Sequence, residues 1–174
     1  MNWYWIDRFT VFESGRRAQA VKTISRAEDY LRDHLPFHPV MPASLVIEGL
    51  AQTAGLLIHE SHNFKKKVVL GKIQKIVFYN TDLVPGDTLV FNADIDYIKE
   101  EGSMASVSVS RDGELIGEGV LIFAHLGEDF AGRDLFAEGE LEDLVRAYGM
   151  YDIGVMPDGS RIPDPSLVKK SPAT

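Results

Sequence analysis

One short segment, His34 to Gln52, reads HLPFHPVMPASLVIEGLAQ, and among its side chains able to move protons are His34 and Glu48. His34 titrates near neutrality and is suited to take a proton. Glu48 is the only charged residue from Val40 to Ile58, and a carboxyl in such apolar company is expected to have a raised pKa, because desolvation disfavours its ionised form. Pro36, Pro39 and Pro42 recur at every third position, fix φ and deny helix to the residues before them. A stiff extended loop is therefore expected to hold His34 and to end at a helix. The first amides of that helix, at Ala43, lack intrahelical acceptors and lie at the positive end of its dipole. A base, an acid and an oxyanion donor suit removal of a proton beside a carbonyl while a leaving group departs from the next carbon. Each part also has a plainer reading. A histidine in a proline-rich loop is commonly structural, and Glu48 with Gln52 four residues on can be a satisfied polar pair.

These groups need a scaffold, and the remainder of the chain supplies its pattern. Leu45 to Ile58 is apolar around every face but carries Glu48 and Gln52, too short and too polar for a membrane span. It reads as a buried helix with protein on all sides. Gly49, Ala51, Ala54 and Gly55 keep it thin enough to pack closely on a sheet. In the segments after it, Leu89, Phe91, Ala93, Ile95 and Tyr97 alternate with polar residues, as do Ala105, Val107 and Val109, the period of half-buried strands. Pro85-Gly86-Asp87, Glu101-Gly102-Ser103 and Asp112-Gly113 mark the turns. With Val68–Tyr79 and Leu115–Leu126 as outer members, these strands are expected to form a four-strand meander. Tyr4–Phe12 and Arg17–Ile24 form a hairpin around Ser14-Gly15. A curved antiparallel sheet wrapped around one apolar helix buries both, giving an α+β domain. Gly139–Gly149 reads as a short amphipathic helix with Leu141, Leu144, Val145 and Tyr148 on one side and Gly149 as its cap. Asp158–Thr174 is expected to be loose or disordered.

The chain has 174 residues, one domain in size, of which 45% are hydrophobic and 25% charged. It contains no cysteine, which excludes a disulfide framework, a thiolate nucleophile and thiolate-bound zinc, and suits a cytoplasmic protein. A net charge of −8 argues against a nucleic-acid partner, which would need a basic face. Residues 127–174 hold 10 of the 26 acidic residues but only 5 of the 18 basic ones, an acidic C-terminal extension to a domain over residues 1–126. The N-terminus has no basic segment ahead of an apolar run, so no signal peptide is expected.

The His34–Gln52 segment resembles the signature of the (3R)-hydroxyacyl-acyl-carrier-protein dehydratases of hot-dog fold, H-F-P-G-x-P-x-M-P-G followed by an apolar stretch and E-x-x-A-Q. His34, Pro36, Pro39, Met41, Pro42, Glu48, Ala51 and Gln52 fill those places, with the His-to-Glu spacing intact. Ile6-Asp7-Arg8 with Ser14-Gly15, Leu70-Gly71-Lys72-Ile73 and Val84-Pro85-Gly86-Asp87 are similar to other parts of the family, so that residues 4–126 are covered. The resemblance implies that His34 and Glu48 are the catalytic pair, contributed to one site by two subunits of a homodimer, or of three such dimers. It implies that the Ala43 amide receives the thioester carbonyl, and that a phosphopantetheine-linked acyl chain on acyl carrier protein is the substrate, with no cofactor or metal. Glu rather than Asp at position 48 resembles the FabZ-type branch, which dehydrates without isomerising. Phe37 and Ala43 replace family glycines. Phe37 and Gln52 are thus expected beside the histidine or along the acyl tunnel, with Phe37 narrowing it.

Lys65, Lys66, Lys67, Lys72 and Lys75 form the only basic cluster, read either as a solvated face or as a docking patch for the acidic carrier. His59 and His62 lack the spacing of a zinc-binding helix. His38 is expected to be a loop residue, and His125 ends a strand with no partner evident from the sequence. Competing assignments are an enoyl-CoA hydratase or a thioesterase of the same fold, and a non-catalytic acyl-binding module in which Phe37 plugs the tunnel. Thioesterases of this fold generally lack the His-x-Pro-x-x-Pro loop.

Overall fold

The computed structural model describes residues 4–33, 37–127, 137 and 139–167. Strands β1 (Arg8–Glu13) and β2 (Arg17–Thr23) form the opening hairpin, followed by a single helical turn α1 (Tyr30–Asp33) and the long helix α2 (Ala43–Ser61). Strands β3 (Lys67–Phe78), β4 (Thr88–Ile98), β5 (Gly102–Arg111) and β6 (Glu114–Leu126) come next, and helices α3 (Glu140–Ala147) and α4 (Met150–Ile153) close the described chain with a 3-10 turn at Pro165–Leu167. All six strands lie in one antiparallel sheet with the order β1-β2-β4-β5-β6-β3. This is the expected α+β arrangement of a sheet around a helix.

The alternation read from the sequence is the burial pattern of the strands. Leu89, Phe91 and Ala93 of β4, and Ala105, Val107 and Val109 of β5, turn inward and form the core with Val46, Leu50, Ala54 and Leu57 of α2. Helix α2 starts directly after Pro42 and runs to Ser61, longer at both ends than the apolar run. Gly49 sets how closely it approaches the sheet. A Cβ there would sit 2.3 Å from Cζ of Phe91, so only glycine allows this contact. Asp112 and Gly113 both have positive φ, the two-residue hairpin expected between β5 and β6.

The expected four-strand meander is not what forms. Strands β4, β5 and β6 follow one another, but β3 pairs with β6 at the far edge, and β4 pairs with β2. The turn Val84–Asp87 explains the jump. Ile24 donates its N–H to the Asp87 carbonyl at 2.9 Å and accepts from Gly86 N–H at 2.9 Å, which docks β4 onto β2 instead of onto β3. Arg111 and the Val84 N–H both bond the Asp87 carboxylate and hold that turn.

The described part of the C-terminal extension is packed on the fold. Phe9 N–H donates to the Tyr148 carbonyl at 2.9 Å, Ser14 N–H to Val155 at 2.9 Å, and Val155 N–H to Phe12 at 3.0 Å, so the extension is stitched along β1. Asp158–Leu167 was expected to be loose, yet Ile162 is buried and Arg146 grips both oxygens of Asp164 at 3.0 and 3.3 Å. That guanidinium holds the Asp164 carboxyl at about 2, well below the usual carboxylate range. Residues 168–174 lie outside the described residues. Among those described, no helix is long and apolar enough to cross a membrane.

Candidate functional site

Positions three and four apart share one face of a helix. On α2 the residues Ile47, Glu48, Ala51, Gln52 and Gly55 form such a stripe, and all are half-buried. Protein therefore does not enclose α2 on every side. The sheet covers one face, and the stripe borders a cavity of about 270 Å³ whose lining includes Glu48, Gln52, Val69, Phe123, Leu141 and Leu144. Its walls are apolar apart from a few groups, with Glu48 the one carboxylate among the described residues that line it.

A directed chain of donors leads to that carboxylate. Trp5 N–H donates to the Tyr148 hydroxyl at 2.8 Å, and the hydroxyl donates to Gln52 Oε1 at 3.3 Å. Gln52 Nε2 in turn donates to Glu48 Oε1 at 3.1 Å. Tyr148 is 2% exposed, and burial pushes its phenol up to about 12, so its proton stays in place as a donor. Hydrogen bonds aligned in this way polarise one another, and together they fix the orientation of the Glu48 carboxyl group. The Glu48–Gln52 polar pair foreseen from the spacing is real, and it sits beside the cavity. The part played by Tyr148 was not foreseen, because it reaches Gln52 from 96 residues away.

The proline loop leads into α2 as expected. Met41 N–H donates to Leu83 O at 2.8 Å, His38 pairs with Asp82 at 3.0 Å on the surface, and Ala43 is the first residue of the helix. Its amide belongs to the first turn, where N–H groups lack helical acceptors. Glu48 follows about 7.5 Å along the axis. His34 lies outside the described residues. Phe37, expected beside the histidine or along the acyl tunnel, is fully exposed on the single chain, and His38 next to it is exposed as well.

The lysines are spread out. Lys65, Lys66 and Lys67 stand at the entry to β3, with Lys66 3.4 Å from the Glu100 carbonyl. Lys75 lies roughly 26 Å further along the strand at the usual rise per residue. It borders an outer groove with Asp94, Ser106 and Glu118. Two histidines form a separate group. His62 meets His125 edge-on at 4.7 Å, and His125 has partners after all, Ser103 Oγ at 2.7 Å and the Glu100 carbonyl at 3.2 Å. His59 lies buried with Nε2 3.1 Å from the Val68 carbonyl, and burial pushes it down to about 4. Next to it Glu60 is 5% exposed, and burial pushes its carboxyl up against a hydrogen bond from Ser14.

The family model described as a FabA-like domain matches residues 2–123. The chain belongs to that family. A 3-hydroxyacyl-[acyl-carrier-protein] dehydratase FabZ from Listeria monocytogenes is 32% identical over 119 residues, 68% of this chain and 83% of that protein. The protein of the same name from Ruminiclostridium cellulolyticum is 35% identical over 120 residues, 68% of this chain and 84% of its own length. Among solved structures, the dehydratase heterocomplex ApeI:P from Xenorhabdus doucetiae superposes with a TM-score of 0.60 at 16% identity, covering 73% of this chain and 86% of that one. The conserved protein PA5202 from Pseudomonas aeruginosa gives 0.56 at 19% identity, covering 68% and 87%. These likenesses show the hot-dog fold. The FabA-like domain ends before Tyr148, Leu141 and Leu144, so three groups at or beside the cavity come from outside it.

Proposed function

We propose that this chain is a hydro-lyase that dehydrates a (3R)-hydroxyacyl thioester, carried on the phosphopantetheine arm of acyl carrier protein, to the trans-2-enoyl thioester in fatty-acid or related lipid biosynthesis. The observation that carries this reading is the Glu48 carboxyl group lining an apolar cavity, oriented by Gln52, on the helix that begins at Ala43. In the reaction His34 takes the proton from C2, and the electrons of that C–H bond form the C2–C3 double bond. Glu48 protonates the departing 3-hydroxyl, which leaves as water. The Ala43 amide donates to the thioester carbonyl oxygen, where negative charge develops.

A homodimer, or three such dimers, fits the same reading. Strand β3 is an edge strand with Leu70 and Ile73 exposed, and Phe37 is exposed in the loop before α2. Exposed apolar groups and an open edge are features that a second copy would cover. The lysines at the entry to β3 would steer an acidic carrier, a cytoplasmic setting accords with the lack of cysteine, and residues 127–174 form an extension to the catalytic domain at 1–126.

Absorbance of the conjugated enoyl thioester tests the assignment. His34→Ala and Glu48→Gln should each lower turnover by about 10² to 10⁴ while the fold melts as before. Wild-type rates in either folded variant would refute the pair. Mixing the two variants under subunit exchange should restore part of the activity if the site is shared, and salt should slow the carrier-bound substrate more than a small thioester.

A further inference from the structure

Helix α3 lies beyond the segment that the FabA-like family describes, yet Leu141 and Leu144 line the same cavity as Glu48 and Gln52. We propose, on the reading that this cavity takes the acyl chain of a thioester, that these two leucines set the length of chain it accepts. Leu141 is 8% exposed and belongs to the core, whereas Leu144 is half-buried one helical turn further on. The wall they make is anchored. Val145 is fully buried beneath them, Arg146 forks onto Asp164, and the Tyr148 carbonyl accepts from Phe9 at the C-terminal end of α3. Gly139 and Gly149, both with positive φ, let the helix begin and stop abruptly against the sheet.

An alkyl chain entering an apolar cavity gains about fourfold in affinity for each methylene it buries. The gain stops where the terminal methyl meets a packed side chain. A further methylene must then displace that side chain or stay in water. Affinity plotted against chain length should thus rise and break, and the position of the break reports the wall.

The test uses the full chain and saturated acyl-pantetheine thioesters of four to twelve carbons, with Kd from titration calorimetry, beside turnover of the matching enoyl thioesters. Leu144→Ala removes three carbons from the wall and should move the break about two to three carbons longer. Leu144→Phe should move it shorter, and both variants should bind the four-carbon thioester within about twofold of wild type. Opposite displacements by two substitutions at one position are not produced by loss of fold. A break at the same length in both variants, or a uniform loss at every length, would overturn the inference. Shifted breaks without turnover in the wild-type protein would retain the wall and remove the dehydratase assignment. Normal turnover with unmoved breaks would do the reverse, and absence of binding at every length would remove both.

Discussion

Helices α2 and α3 meet at one cavity but are held there by different means. Helix α2 is 19 residues long and is pressed onto the sheet through its backbone, with Gly49 against the ring of Phe91. Helix α3 is 8 residues long and hangs on side chains and single hydrogen bonds: Leu141 and Val145 inward, Tyr148 to Trp5, Phe9 and Gln52. A group on α2 cannot move without moving the sheet, which suits a proton-transfer carboxylate that must be placed within a fraction of an ångström. On α3, Leu144 is half-buried at the edge of the core and can be exchanged with the rest of the core left in place, which would suit a wall whose shape selects among substrates.

The sharpest way to break this contrast is at Glu48, where loss of the acid should remove turnover and leave α3 untouched. Next comes Gly49→Ala. Its methyl would meet Phe91, and overpacking of this kind costs about 1–3 kcal/mol, so thermal melts should fall by several degrees and turnover should fall with them as α2 lifts. If Gly49→Ala melts like the wild type, the helix is not held by its backbone. Tyr148→Phe is the counterpart on the other side. It removes the hydrogen bonds from Trp5 N–H to the hydroxyl and from the hydroxyl to Gln52 Oε1, for a cost of about 1–2 kcal/mol, and should lower kcat severalfold with little change in KM, because only the orientation of Glu48 is disturbed. A change in KM alone would show that the hydroxyl supports the wall and not the carboxylate.

The smallest expected effect lies at the C-terminal end of α2, where His59 and Glu60 are buried side by side with opposite pH behaviour. For Glu60 the folded pKa is raised, so the folded protein holds the proton more tightly. Its contribution to stability is present on the acid side and is lost as pH rises from about 4.5 through the raised value. For His59 the folded value of about 4 lies below the ordinary 6.5. Its contribution is present above 6.5 and is lost as pH falls toward 4. Glu60→Gln should therefore raise the melting temperature slightly at pH 7 and not at pH 4. An equal gain at both values would show that ionisation of Glu60 is not the cause.

Legibility in the sequence followed the range of the interaction. The strands β4 and β5 were readable because each inward residue records its own burial, and α2 because its apolar run ends at Pro42 on one side and at polar residues on the other. The i, i+4 pair of Glu48 and Gln52 was readable for the same reason. The pairing of β3 with β6 was not, since nothing in β3 itself distinguishes one antiparallel partner from another, and the deciding bonds run from Ile24 to the turn before β4. His125 had no visible partner because Ser103 reaches it across strand register. Phe37 was expected at the tunnel because it replaces a family glycine beside the histidine; its exposure on the single chain was not legible, since the course of that loop depends on what it leans on, here Leu83.

By itself the sequence nominated His34 and Glu48 for chemistry, set a run of prolines ahead of an apolar helix, and required a sheet to bury that helix. Those statements rest on side-chain type, fixed φ and periodicity, all of which act within a few residues. Only the tertiary structure decided that the C-terminal extension closes on the cavity, that Tyr148 feeds a hydrogen bond through Gln52 to Glu48, and that Phe37 is exposed on the single chain. An amphipathic helix declares that it has a face to bury but not where. The address was set by how α3 fits against β1 and α2 once the sheet had formed, through contacts between residues far apart in the chain.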